Sequence, residues 1–215
     1  MVGSPARKVA MSGAAHHSIP LITPGGATAS RATHGVPCEA HVGVDLAELC
    51  FPLKGWHAVD FRHGAIRFGA PRTSHRLHAG VDILAPRGTP LYAIADGFIR
   101  QAPYYFYEGT NAIEVVFPGV GVARYGEVAT HQDPVLRARQ AVKKGDLIGH
   151  VGRLNSGHSM LHFELYQGRE STKDVADFDD GGLSQKHRAP YQRHPNLVDP
   201  TNFMWALHER TASGR

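Results

Sequence analysis

His78 and Asp82, in the run His78-Ala79-Gly80-Val81-Asp82, offer an imidazole nitrogen and a carboxylate oxygen. That donor pair suits zinc better than magnesium or calcium. Two ligands of one metal lie roughly 3–4 Å apart, whereas residues four apart in an extended strand are separated by about 13 Å. A shared metal therefore requires a bend in the chain, and Gly80 permits one. The same spacing recurs in His41-Val42-Gly43-Val44-Asp45, and the chain holds 15 His in 215 residues. Spacing alone does not choose between the two pairs; the residues C-terminal to each pair do.

The elements that must position such a site read as short strands. From Phe51 onward, apolar runs are broken by Gly and Pro: 80–85, 89–95, 97–102, 111–117, 121–128, 147–151 and 160–166. Asp96-Gly97 is a two-residue hairpin signal, and Pro118-Gly119 and Lys144-Gly145-Asp146 mark further turns. Strands at this spacing predict an all-β or β-rich domain. Asp199-Pro200-Thr201 predicts a short C-terminal helix with Asp199 as N-cap and Pro200 in its first turn. Residues 1–50 read as a flexible or loosely docked extension, 51–207 as the domain and 208–215 as a tail.

Composition removes several classes. With 24 Gly and 14 Pro, long helices and coiled coils are poor readings. No run of about 18 apolar residues exists, so no membrane-spanning helix is expected. The formal net charge of +4 suits an anionic partner, but no Lys/Arg cluster argues for nucleic acid. Cys38 and Cys50 fit one disulfide or two free thiols equally. The N-terminus lacks a 7–15-residue apolar stretch, so no secretory signal is expected.

The context of His78 and Asp82 resembles the lysostaphin/LytM-type zinc metallopeptidases of bacterial cell walls. The blocks are RFGAPR (67–72), HAGVDILAPRGTPLYAIADGFI (78–99), VKKGDLIGHVG (142–152) and SMLHFELY (159–166), in the family's order. NLVDPTNFMWAL (196–207) is similar to the tail of some members. The pair at His41 lacks these followers and reads as a decoy. The resemblance implies a small antiparallel β domain with a groove and one Zn2+ on its floor. It implies His78, Asp82 and His162 as ligands, with a fourth position left open for water. The implied substrate is a peptide bond in a peptidoglycan stem or cross-link.

Two departures bear on activity. The family's first His of His-x-His is Met160 here, and the His of its Tyr-x-His-Leu stretch falls on Glu127, in Arg124-Tyr125-Gly126-Glu127-Val128. One reading is a catalytically silent module that binds peptidoglycan or regulates another hydrolase. The other is re-plumbed chemistry, with Glu127 as general base and His158 supplying the lost imidazole. Arg72, His75 and Tyr125 are candidate substrate contacts. Glu164, two residues from His162 on one strand face, either orients that ligand or pairs with a cation. His63, His131 and His150 are expected outside the ligand set.

On the resemblance, a chain made in the cytoplasm would act in the periplasm or cell wall after non-classical delivery. An antibacterial effector would carry a delivery apparatus and an immunity protein as partners. The extension, with His16, His17, His34, Cys38 and His41, is a candidate latency segment supplying a fourth ligand.

Overall fold

Apolar runs that alternate between faces and end at glycine turns pair readily as antiparallel strands. The computed structural model describes residues 39–40, 42–56, 58–131, 134–167 and 182–213. Its strands are β1 (Val81–Leu84), β2 (Pro90–Tyr92), β3 (Gly97–Tyr107), β4 (Thr110–Phe117), β5 (Gly121–Val128), β6 (Ala141–Val142), β7 (Leu147–His150), β8 (Met160–Tyr166) and β9 (Leu197–Val198). One helix, α1 (Thr201–Ala212), follows. The main sheet runs β1-β8-β5-β4-β3-β6, with β9 also on β8, and β2 pairs β7 in a second, two-stranded sheet. Every pairing between these strands is antiparallel.

The two faces of the main sheet have different chemistry. On one, Tyr125 and Phe163 pair in register, meet edge to face and are fully buried. The Tyr125 hydroxyl donates to the carbonyl of Tyr92 on the small sheet, which closes the core from that side. On the other face Glu114, Arg124 and Glu164 stand opposite one another on β4, β5 and β8. That polar ladder runs to His162, two residues from Glu164 on β8.

The core begins before the first strand. Phe51, Leu53 and Phe61 are fully buried, and the last described part of the extension docks: Ala40 donates to the carbonyl of Asp199, and Cys50 to that of Ile94. The Cys50 thiol donates to the carbonyl of Ala93. Its proposed partner Cys38 lies outside the described residues, as do His16, His17, His34 and His41. At the other end α1 runs to Ala212 with Phe203, Met204, Leu207 and His208 buried, so the expected boundary at 207 falls inside a helix. The helix starts one residue later than expected. Pro200 takes the cap position, and Asp199 Oδ1 instead accepts from the Thr201 backbone and hydroxyl.

Candidate metal centre and its groove

Asp82 on β1 and His162 on β8 are directly opposite residues. His78 precedes β1 and is held by backbone pairing with the run at Gly69 and Ala70. From the sequence, Gly80 is expected to supply a bend through its backbone freedom. Its role is space: a Cβ there would lie 2.3 Å from the carbonyl oxygen of Phe163, and Gly80 has no left-handed φ. Only a glycine lets β1 approach β8 closely enough to join the three side chains.

His78 Nε2, Asp82 Oδ1 and His162 Nδ1 lie 2.8 to 3.0 Å from one another, and all three residues are buried. Their outer atoms are also fixed. His78 Nδ1 lies 2.7 Å from the carbonyl of Arg67, which can only accept, so that nitrogen carries the proton and Nε2 presents a lone pair. His162 Nε2 lies 2.9 Å from a carboxylate oxygen of Glu164. The second oxygen of Asp82 accepts from Arg72 at 3.2 Å. Partners of this kind set the tautomer and orientation of metal ligands.

The electrostatics of the cluster call for a cation. Burial keeps His78 below its ordinary pKa. Burial also opposes charge on His162, yet Asp82 and Glu164 outweigh it and raise that imidazole to about 9. Burial likewise disfavours Asp82 as an anion, but the hydrogen bond and charge of neighbouring His162 hold it below the usual carboxylate range. Three acceptors thus close around one positive charge. A lone pair, a second lone pair and a carboxylate at these distances repel unless a proton or metal sits among them. The nitrogen and oxygen donors fit zinc.

Beneath His162 the ladder of buried charge is continuous. Glu164, fully buried, accepts from Arg124 at 2.9 Å, from Arg193 at 2.7 Å and from the Tyr166 hydroxyl. Arg124 also meets Glu114, which accepts from Arg100 and from Tyr104. Both alternatives for Glu164 hold together: it orients His162 and pairs with cations. The sequence signal for this ladder was a charged residue in the middle of each of three apolar strands.

Glu127 enters by a different device. Between Asn111↔Val128 and Ile113↔Tyr125 the β4–β5 register slips, so β5 carries one extra residue. Glu127 sits in that bulge with φ of 60°, a conformation that costs a non-glycine residue roughly 1–3 kcal/mol. Its carboxyl reaches the groove that holds His78, Asp82 and His162. There Oε2 is buried without a hydrogen-bond partner among the described residues. Burial pushes the carboxyl up to about 7. Gly126 beside it pairs with His162, and a Cβ there would strike Phe106 at 2.7 Å.

Three expected site residues lie elsewhere. Tyr125 faces the core, because strand alternation puts it opposite Arg124 and Gly126. His75 is exposed in the 3-10 turn Thr73–His75 and does not line the groove. His158 is exposed before β8, near Glu108, and also lies outside the groove, so it does not replace the imidazole absent at Met160. Arg72 does line the groove, with its guanidinium committed to Asp82 and the carbonyl of Ala65. Sequence reasoning missed Arg76, Lys186 and Arg193, and the aromatic wall Tyr104–Tyr107. The wall was visible as an unbroken aromatic run, whereas Lys186 and Arg193 come after the polar stretch that begins at Gly168, and none of the three cations carried a signal.

A groove floored by converging imidazoles and a carboxylate, on an antiparallel sheet, defines a β domain with a candidate metal site among the described residues. Residues 76–174 match the model of peptidase family M23, and this stretch is similar to that family. Peptidoglycan DD-endopeptidase ShyC of Vibrio cholerae is 30% identical over 116 residues, covering 50% of this chain and 25% of that protein. Cell division protein DipM of Caulobacter vibrioides is 32% identical over 121 residues, covering 55% of this chain and 19% of that protein. The chain therefore spans a quarter or less of the length of these curated relatives. The antimicrobial peptidase lysostaphin from Staphylococcus simulans shares the fold, with a TM-score of 0.51 and 21% identity over 75% of this chain and 55% of that one.

Proposed function

We propose that the domain is a zinc-dependent endopeptidase that cleaves peptide bonds in bacterial peptidoglycan. The observation that carries this is Glu127: a buried carboxyl on a strained backbone, lining the groove that holds the three-residue cluster, with Oε2 unpartnered among the described residues. A silent module has no use for such a group, and strain of this kind persists where function requires it.

His78 Nε2, Asp82 Oδ1 and His162 Nδ1 would hold the metal. Zinc in such a site supplies Lewis acidity, polarising a carbonyl and acidifying water. Glu127 Oε2 takes the proton from the attacking water and returns it to the leaving amine. A carboxyl near pH 7 is suited to both directions of transfer. Arg72 and Glu164 keep Asp82 and His162 in place during the transfer. The aromatic wall of β3, including the exposed Tyr105 and Tyr107, offers a face along which a peptide lies.

The experiment measures zinc content and muropeptide release from purified sacculi for the wild type and Glu127→Ala. The expected result is about one zinc in both proteins and release by the wild type alone. A wild type that keeps its zinc and releases nothing from several sacculus types overturns catalysis in favour of a binding or regulatory module. A wall substrate requires work in the periplasm or wall. An effector role, with delivery apparatus and immunity protein as partners, extends this reading. It is tested by toxicity of the chain directed to the periplasm.

A further inference from the structure

A second cavity, of about 520 Å3, opens beside the groove. Four segments build it: the β1–β2 loop, the β3–β4 turn, the run after β5 and the run after β7. They bring Arg87, His131, His150 and Arg153 to its wall, and no Asp or Glu lines it among the described residues. Arg87, His150 and Arg153 make no side-chain hydrogen bond or ion pair with any described residue. The guanidinium groups at the metal cluster behave differently: Arg72, Arg124 and Arg193 are each bound to a carboxylate. Cations gathered without counter-charge create a positive potential that attracts an oxyanion, and Arg and His supply its donors.

The cavity and the groove share a wall. Glu127 and Tyr107 line the groove; Ala129 and Gly109, each two residues further along the chain, line the cavity. Gly152, also in the cavity wall, donates its N–H to the carbonyl of Glu127 at 2.7 Å. A Cβ on Gly152 would lie 2.7 Å from that same oxygen, so the approach depends on glycine. Two residues of extended peptide span about 7 Å. A peptide whose scissile bond lies over Glu127 therefore reaches this cavity with a group two or three residues away.

We propose that this cavity binds a free carboxylate of the wall peptide lying in the groove, with Arg87 and Arg153 as its principal contacts. The ligand's identity rests on the peptide-cleaving function proposed for the groove. The site acts at the binding step and sets which stem peptides the groove accepts.

The test is equilibrium binding to the zinc-loaded full chain, by fluorescence anisotropy, of two labelled stem peptides. They differ only in a C-terminal carboxylate or amide. The free carboxylate is expected to bind about tenfold more tightly, with an advantage that shrinks as salt rises. In the double variant Arg87→Ala/Arg153→Ala the advantage disappears while binding of the amide is unchanged. Arg87→Lys/Arg153→Lys retains most of it. Both arginines are exposed, and matching melting temperatures confirm that the variants fold. Equal binding of the two peptides by the wild type, or a ratio that survives the double variant, overturns the proposal. So does capture of a glycerol-phosphate oligomer through Arg87 and Arg153 with no carboxylate preference. Because the readout is affinity, absence of muropeptide release counts against catalysis alone, and a flat affinity ratio counts against this site alone.

Discussion

At the scale of single residues, Glu127 concentrates the consequences. Its burial makes the proton bind more tightly in the folded chain, at about 7, than at the ordinary value of 4.5. Between those values the folded state holds more protons than the unfolded one, so this residue's contribution to stability falls as pH rises from about 4.5 through 7. In the metal-free protein, Glu127→Gln is therefore expected to stabilise the fold at pH 8 by about 3 kcal/mol and to leave it unchanged at pH 4. Backbone strain is common to both chains and cancels. Denaturant titrations at the two pH values check this, and an equal offset at both would contradict the burial account. The same variant is expected to retain zinc and lose about 10²–10⁴ in turnover. The sequence placed a carboxylate at 127, but only the slipped β4–β5 register explains why it reaches the groove. Without that bulge, simple alternation puts residue 127 on the same face as the core residue Tyr125. The slip separates the two, which is why Glu127 lines the groove while Tyr125 packs in the core.

At the scale of elements, the site is a product of strand adjacency. Asp82, His162 and Gly126 form one row across β1, β8 and β5, and Glu114, Arg124 and Glu164 form another. The seven expected strands are present because alternation and glycine turns are local signals. The far half of β3 was missed: Pro103 reads as a terminator, yet the strand bulges past it and continues through Tyr107. The two-residue strands β6 and β9 are too short to leave a periodicity. Gly80→Ala tests the close approach of β1 to β8. Its Cβ would meet backbone rather than a movable side chain, so a loss of about 1–3 kcal/mol and of zinc together is expected, read by melting and metal analysis. Glu164→Gln tests the ladder. It weakens the hold on His162 Nε2, strips Arg193 of its carboxylate partner and leaves Arg124 with Glu114 alone. Zinc affinity is expected to fall about 10–100-fold, measured by chelator competition, and stability by about 3–5 kcal/mol. A variant that melts lower yet binds zinc as the wild type does would reduce Glu164 to a structural ion-pair partner.

At the scale of the whole molecule, the domain that works is longer than the stretch that carries the family's sequence. The family match ends at residue 174, yet Arg193 completes the partners of Glu164, and Tyr191 stacks on Phe68 at 5.1 Å. Leu197 and Val198 extend the sheet on β8, and His208 accepts from the backbone of Ala58. The segment therefore braces both the strand that bears His162 and the start of the core. Little of this was legible: the sequence revealed a helix but no partner for it, since the contacts are long-range and α1 meets the core through few apolar positions. Phe203, Met204 and Leu207 are each almost fully buried, and burial of such side chains contributes about 1.5–3 kcal/mol apiece. Added to the exposure of Glu164 and its arginines, that loss is comparable to the whole stability of an ordinary domain, about 5–15 kcal/mol. A chain ending at Gln167 is therefore expected to lack a cooperative thermal transition and to bind no zinc, although it retains all three ligands and Glu127. Circular dichroism and metal analysis on that truncation decide the matter. A cooperative melt with bound zinc would make the C-terminal segment an accessory to the groove, whereas loss of both makes it part of the metal site's foundation.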